Sequence, residues 1–123
     1  MPTHKDLDVW KNSIELVTII YKMTENFPKE EQYGLISQIR RSAVSLPSNI
    51  SEGAGRNHDN EFVQFLYIAL GSLSELETQL IISNNLSMLT TKDFKELEER
   101  IKLIRSQLAG LIKYLKGKQK LPR

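Results

Sequence analysis

The sequence contains no cysteine, which excludes disulfide cross-links, thiolate metal sites and cysteine nucleophiles. Histidine is almost as scarce. His4 and His58 are the only two, and neither has a second histidine three or four residues away, so no zinc or iron site is expected. No apolar run approaches the roughly 20 residues needed to cross a bilayer, and no charged-then-apolar leader opens the chain. A cytoplasmic protein without a membrane partner is the expectation. Phosphate-cradling Gly-x-x-x-x-Gly-Lys runs, nucleophile elbows and two-histidine metal motifs are missing too. Gly53-Ala54-Gly55 is too short for a dinucleotide fingerprint and follows a helical pattern where that motif needs a strand. Without a constellation for acid–base, covalent or metal chemistry, the chain reads as a non-enzyme with no cofactor.

What is present suits one helical domain. A length of 123 residues provides a single core and is too short for two, so residues 1–123 form one unit. The net charge is only +2, but its distribution is uneven. Residues 57–91 carry no lysine or arginine, only Asp59, Glu61, Glu75 and Glu77. Residues 101–123 carry no acid, only Lys102, Arg105, Lys113, Lys116, Lys118, Lys120 and Arg123. Acidic and basic segments are thereby separated along the chain.

The most unusual stretch is QIRRSAVSLPSNISEGAGR, residues 38–56. Ile36, Ile39, Ala43, Leu46 and Ile50 step by three and four and so share one helix face. Pro47 interrupts this stripe. A proline in a helix interior deletes a backbone hydrogen bond and crowds the carbonyl four residues back, costing about 3 kcal/mol if uncompensated. Because the stripe stays in phase to Ile50, the helix is predicted to continue through Pro47 with a kink, and Gly53 and Gly55 to stop it. Arg40 and Arg41 are adjacent and diverge by about 100° around the helix, so they cannot serve one partner alike. Structurally, each would pair with a glutamate such as Glu52, Glu75 or Glu77; functionally, one would face phosphate.

Three further helical patterns flank this one. Near the N-terminus Leu7, Trp10, Ile14, Val17 and Tyr21 form one stripe, and Val9, Leu16, Ile20, Met23 and Phe27 a second. Two stripes exceed what one bundle seam requires, which leaves either a wide core-facing surface or packing on another subunit. Thr3 or Asp6 is the predicted cap. Phe62, Leu66, Ala69, Leu73, Leu76 and Leu80 keep a strict three-four alternation, and the small residues Gly71, Ser72 and Ser74 among them predict close approach of a neighbouring helix. Phe94, Leu97, Ile101, Ile104, Leu108, Leu111 and Leu115 make the last stripe, with Thr90 as its cap ahead of Asp93. Helices are therefore expected over residues 7–26, 33–54, 59–84 and 92–116. Short polar turns join them, giving an all-α, antiparallel up-down four-helix bundle.

QIRRSAVSLPSNISEGAGR, followed by EFVQFLYIALGSLSELETQL at residues 61–80, resembles the four-helix-bundle proteins of the large-subunit rRNA intervening-sequence family, ribosomal-protein-like by historical name. That family is related to the accessory variability determinant of diversity-generating retroelements. DLDVWKNS at residues 6–13 resembles its opening helix and AGLIKYLK at residues 109–116 its closing one. One departure stands at the third helix, where the family often has serine or threonine three residues before the opening glutamate; here His58 precedes Glu61, which weakens the capping box. The resemblance implies a four-helix bundle assembled as a homopentamer, with no known enzymatic activity. It implies as partners RNA or DNA, and a reverse transcriptase or another protein, because the retroelement branch binds both.

Two classes of function follow. In the first, the protein is a nucleic-acid-associated accessory factor of the rRNA intervening-sequence type, with Arg40, Arg41, Arg56, Lys113, Lys116, Lys118, Lys120 and Arg123 as candidate contacts to phosphate. In the second, it is a protein-interaction scaffold without nucleic-acid binding, held together by its surplus apolar stripes. Tyr114 is the only aromatic residue near the C-terminal bases, so single-strand base stacking is not expected. Binding should then be electrostatic and sequence-tolerant.

Overall fold

A computed structural model describes residues 3–119, with the backbone alone at Gln119. Its four helices are α1 (Asp8–Thr24), α2 (Leu35–Ala54), α3 (Asp59–Asn85) and α4 (Thr91–Gln119). Single 3-10 turns at His4–Asp6 and Lys29–Glu31 lead into α1 and α2. α2 packs on α1 and α3, and α4 packs on α1 and α3, the neighbour order of an up-down-up-down bundle. The α2–α3 seam is the most extensive of the four. The core is built from the predicted stripes: Ile39, Ala43, Leu46 and Ile50 of α2, Leu66, Ala69, Leu73 and Leu76 of α3, and Leu97, Ile101, Ile104 and Leu108 of α4 are all buried. Ile112, outside the predicted stripe, is buried with them.

α2 is helical on both sides of Pro47, and the proline itself is buried. The ring removes the amide that would have bonded the Ala43 carbonyl. Side-chain donors gather at the next two carbonyls: Ser48 Oγ donates to Val44 O at 2.7 Å and Asn49 Nδ2 to Ser45 O at 2.8 Å. Burial of the ring in the α2 core face works against the proline's cost. Gly53 does not end the helix, contrary to its expected role. It lies inside α2, buried, where an added Cβ would stand 2.7 Å from Phe65 Cβ and 2.9 Å from Phe62 Cδ1. Its service is to let α3 come close. Gly55 follows the last turn, its amide donating to Ser51 O at 3.1 Å, and no glycine among the described residues has positive φ.

The other small residues divide differently. Ser72 is buried and shares a 2.8 Å hydrogen bond with Ser45 across the α2–α3 seam. Gly71 and Ser74 are exposed, and nothing lies within 4 Å of a Cβ built at Gly71. The predicted close approach therefore holds at Ser72 and fails at Gly71, whose side of the helix points away from the bundle. α3 has no unbroken apolar run, being interrupted by residues such as Gln64, Glu75, Glu77 and Gln79, but by length and composition alone it is apolar enough to cross a membrane, with a mean hydropathy of 1.3 over 18 residues. The reason is that it is apolar on two faces. The inner face supplies the core, and the outer face exposes Tyr67, Ile68, Ile81 and Ile82.

In α1 the second stripe is the core one: Val9, Leu16 and Ile20 are buried, as is Phe27 in the turn that follows. The first stripe lies on its flank, where Trp10, Ile14 and Val17 face Val44 and Pro47 of α2 across a groove of about 280 Å³. Thr3 caps the 3-10 turn, not α1, in a reciprocal capping box with Asp6; α1 begins after Leu7 with no side-chain cap. At α4 the predicted cap is present, Asp93 N donating to Thr90 Oγ1 at 3.0 Å. His58, at the N-cap of α3, makes no capping bond.

Candidate nucleic-acid interface

The antiparallel order brings the start of α3 beside the end of α4, joining residues far apart in sequence. In the last turns of α4, Ile112 and Leu115 are buried, so helical phase turns Lys113, Tyr114, Lys116, Gly117 and Lys118 outward, and all five are exposed. Lys116 Nζ donates to Tyr67 Oη of α3 at 2.8 Å and lies 5.2 Å from that ring's centroid. Lys118 Nζ lies 5.5 Å from the centre of the Tyr114 ring and 3.3 Å from Asp59 Oδ2. Lys113 makes no ion pair among the described residues.

Two open grooves meet here. One, of about 520 Å³, runs along the α3–α4 seam over Tyr67, Leu70, Ala109 and Ile112; the other, of about 530 Å³, lies on α4 around Gly110 and Tyr114. Lys113 and Gly117 line both. Their floor is apolar and their rim is lysine. Such a surface can hold a flat or extended apolar group that carries negative charge at its edge.

The remaining candidates are placed otherwise. Arg40 pairs with no glutamate: Nε donates to Thr24 Oγ1 at 2.9 Å, Nη2 donates to Tyr21 O at 3.1 Å, and the guanidinium stacks 4.5 Å from the Tyr21 centroid. It fastens the end of α1 to α2. Its expected partners are engaged elsewhere, Glu52 with Arg56 at 3.0 Å, Glu77 with Arg105 at 3.0 Å, and Glu75 accepting from Ser42 at 3.2 Å. Arg41 is exposed and makes no ion pair among the described residues. Both arginines are remote from the α4 lysines, since α2 rises about 21 Å from Arg40 to Ala54 at ~1.5 Å per residue. Arg56 does lie at the lysine end, but it is bound to Glu52, sits 3.9 Å from Glu61 Oε2 and stacks on Phe65 at 4.9 Å. Lys120 and Arg123 lie outside the described residues.

The structure thus brings Lys113, Lys116 and Lys118 together and separates them from Arg40 and Arg41. It adds Tyr67, which sequence inspection missed. The available signal was its phase: Tyr67 falls off the stripe of Leu66, Ala69 and Leu73, and an antiparallel α3–α4 pair must set that outward edge near the end of α4. Among the described residues no three histidine or acidic side chains converge as metal ligands.

Comparisons with known proteins agree with this architecture. A crystal structure at 1.70 Å of a protein of unknown function from the S23 ribosomal protein family of Bacteroides thetaiotaomicron VPI-5482 is similar, with a TM-score of 0.77 and 26% identity over 85% of this chain and 98% of that one. No curated protein matches the chain. The profile of the 23S rRNA-intervening sequence protein family matches residues 5–110, a span that runs from the first 3-10 turn into the last helix. The chain belongs to the 23S rRNA-intervening sequence protein family.

Proposed function

We propose that the protein is a non-enzymatic, homo-oligomeric helical bundle of the cytoplasm that associates with nucleic acid through the C-terminal end of α4. The observation that carries this is the state of its lysines. Arg100 and Arg105, earlier in α4, are taken up by carboxylates, at 3.2 Å from Glu15 and 3.0 Å from Glu77. Lys113 and Lys116 meet tyrosine and open space instead, which leaves their charge available to phosphate. Repetition around an oligomer would multiply the charge, and five copies is the number that the family resemblance suggests. The outer apolar residues of α3 and the Trp10–Pro47 groove offer surfaces for such assembly.

The test is a fluorescence anisotropy titration against duplex RNA and DNA at several salt concentrations. Log K falls with log salt at a slope of about −0.9 per neutralised duplex phosphate, so three or more engaged bases give a slope steeper than about −2.5. Truncation after Leu115 should flatten the slope while leaving helicity and oligomer size intact. A scaffold that engages only proteins, a reverse transcriptase among them, is the second reading, and the apolar groove between α1 and α2 favours it. Absence of any anisotropy change at low salt would put the scaffold in first place. Light scattering that reports a monomer at micromolar concentration would remove the oligomer from both.

A further inference from the structure

We infer that the end of α4 is a stacking platform for single-stranded nucleic acid, with Tyr67 and Tyr114 receiving bases and Lys113 and Lys116, the two lysines there without a carboxylate partner among the described residues, receiving the phosphates between them. This rests on the nucleic-acid reading above and narrows it to one class of ligand. Electrostatic attraction alone would need only lysines on a surface. Here a lysine ammonium stands beside each of two exposed tyrosines: Lys116 Nζ at the hydroxyl edge of Tyr67, 2.8 Å from Oη and 5.2 Å from the ring centroid, and Lys118 Nζ 5.5 Å from the Tyr114 centroid. Tyr67 is 49% and Tyr114 62% exposed, so both rings present large apolar area to solvent. Positive charge beside an open aromatic ring is the pairing that binds successive bases and their backbone with little regard to sequence.

The glycines supply the second argument. Gly110, Tyr114 and Gly117 are spaced four and three apart and so lie on one side of α4. A Cβ at either glycine would have nothing within 4 Å, so neither is explained by packing inside the protomer. Each costs the helix about 0.8–1.0 kcal/mol relative to alanine. Their effect is to keep the space above and below Tyr114 clear, leaving room for a planar ring. On the other side of Lys113 the seam groove opens over Leu70, Ala109 and Ile112 towards Tyr67, so the two aromatic positions border adjoining grooves that share Lys113 and Gly117. Duplex nucleic acid, whose bases are already stacked inside the helix, could use the lysines but not the tyrosines.

The experiment compares the full chain against a labelled 15-nucleotide oligo(U), the matching oligo(dT) and a 15-base-pair duplex in one low-salt buffer. Single strands are expected to bind at least about fivefold more tightly than the duplex, since one stacked base contributes at least that factor. Tyr67→Leu and Tyr114→Leu should each weaken oligo(U) binding about fivefold or more, and Tyr67→Phe with Tyr114→Phe should restore it, because phenylalanine keeps the ring. Gly110→Leu starts from a Cβ with nothing within 4 Å and replaces glycine by a better helix former, so it should fold at least as well as the parent while losing single-strand affinity. Equal binding of duplex and single strand, or leucine variants that bind oligo(U) like the parent, would overturn the platform and leave the electrostatic reading standing. Failure of the parent to bind any of the three probes would overturn both. A variant Gly110→Leu that loses affinity only because the oligomer dissociates, seen by light scattering, would instead assign this face to a second copy of the chain.

Discussion

The two flanks of α3 meet the same bundle in opposite ways. Against α2 the fit is closed: Gly53 has no room for a methyl group, the Ser45 and Ser72 hydroxyls are hydrogen-bonded at 2.8 Å, and Ser42 Oγ donates to Glu75 at 3.2 Å. Against α4, towards its C-terminal end, the fit is open, with a groove over Leu70 and Ile112 lined by Gly117, whose Cβ would meet nothing within 4 Å. The same residue type therefore carries two meanings. A glycine on the closed flank is there because a side chain would collide; a glycine on the open flank is there, on our reading, because a side chain would occupy a place kept for something else. On the proposed function, the first flank serves stability and the second recognition.

The largest effect on stability should come from breaking the closed flank. Gly53→Ala places a methyl against Phe62 and Phe65, and overpacking of this kind costs about 1–3 kcal/mol, far more than the helix propensity that alanine returns. Urea unfolding followed by circular dichroism would measure it, and a variant as stable as the parent would mean that the phenylalanines yield easily and the seam is not close-packed. The next effect belongs to the open flank and is seen in binding alone. Lys113→Glu with Lys116→Glu replaces two cations that have no carboxylate partner among the described residues. Nucleic-acid affinity should fall by at least tenfold, and the unfolding midpoint should stay within the range of ordinary surface substitutions, about 0.5 kcal/mol. A loss of stability comparable to that of Gly53→Ala would show that these lysines are structural.

Much of this fold was legible in the sequence because burial imposes periodicity. The stripes of α2, α3 and α4 mark the core directly, and Ile50 in phase with Leu46 and Ala43 was enough to carry α2 through Pro47. The open flank was harder to read, for three physical reasons. Tyr67 and Lys116 are 49 residues apart, and only the antiparallel register joins them. Glycine looks alike in a helix whether its neighbour is an aromatic ring or solvent, so the sequence pattern alone makes Gly53 a stop and Gly71 a contact. Arg40 is bound by a hydroxyl and a backbone carbonyl, acceptors that charge patterns do not display, which is why glutamates were expected in their place.

Gly71 gives a smaller effect whose sign separates two states of the outer face. With nothing within 4 Å of its Cβ, Gly71→Ala should stabilise an isolated bundle by about 0.8–1.0 kcal/mol through helix propensity. If a neighbouring copy packs closely over this face, the added methyl would instead weaken assembly, and the oligomer would dissociate at higher protein concentration than the parent. Analytical ultracentrifugation over a dilution series, read beside the unfolding curve, distinguishes the two.

The smallest effect is expected where a cation of α4 is already satisfied. Arg105 Nη2 lies 3.0 Å from Glu77 Oε1, with both side chains more than a third exposed, at 37% and 36%. Ion pairs so open to solvent contribute about 0–1 kcal/mol, because water screens the attraction and two long side chains lose freedom to form it. Arg105→Gln should therefore leave the unfolding midpoint almost unchanged. It should also leave nucleic-acid affinity and its salt slope near those of the parent, since a guanidinium held by Glu77 has little charge to offer a phosphate. The substitution removes as much formal charge as Lys113→Gln does, so the two variants form a matched pair. Equal losses of affinity would mean that only the total charge of α4 matters, and the distinction between its paired and unpaired cations would have no bearing on binding. A loss confined to Lys113→Gln would locate recognition at the open end, where Lys113 and Lys116, unlike Lys118 with Asp59 at 3.3 Å, have no carboxylate partner among the described residues.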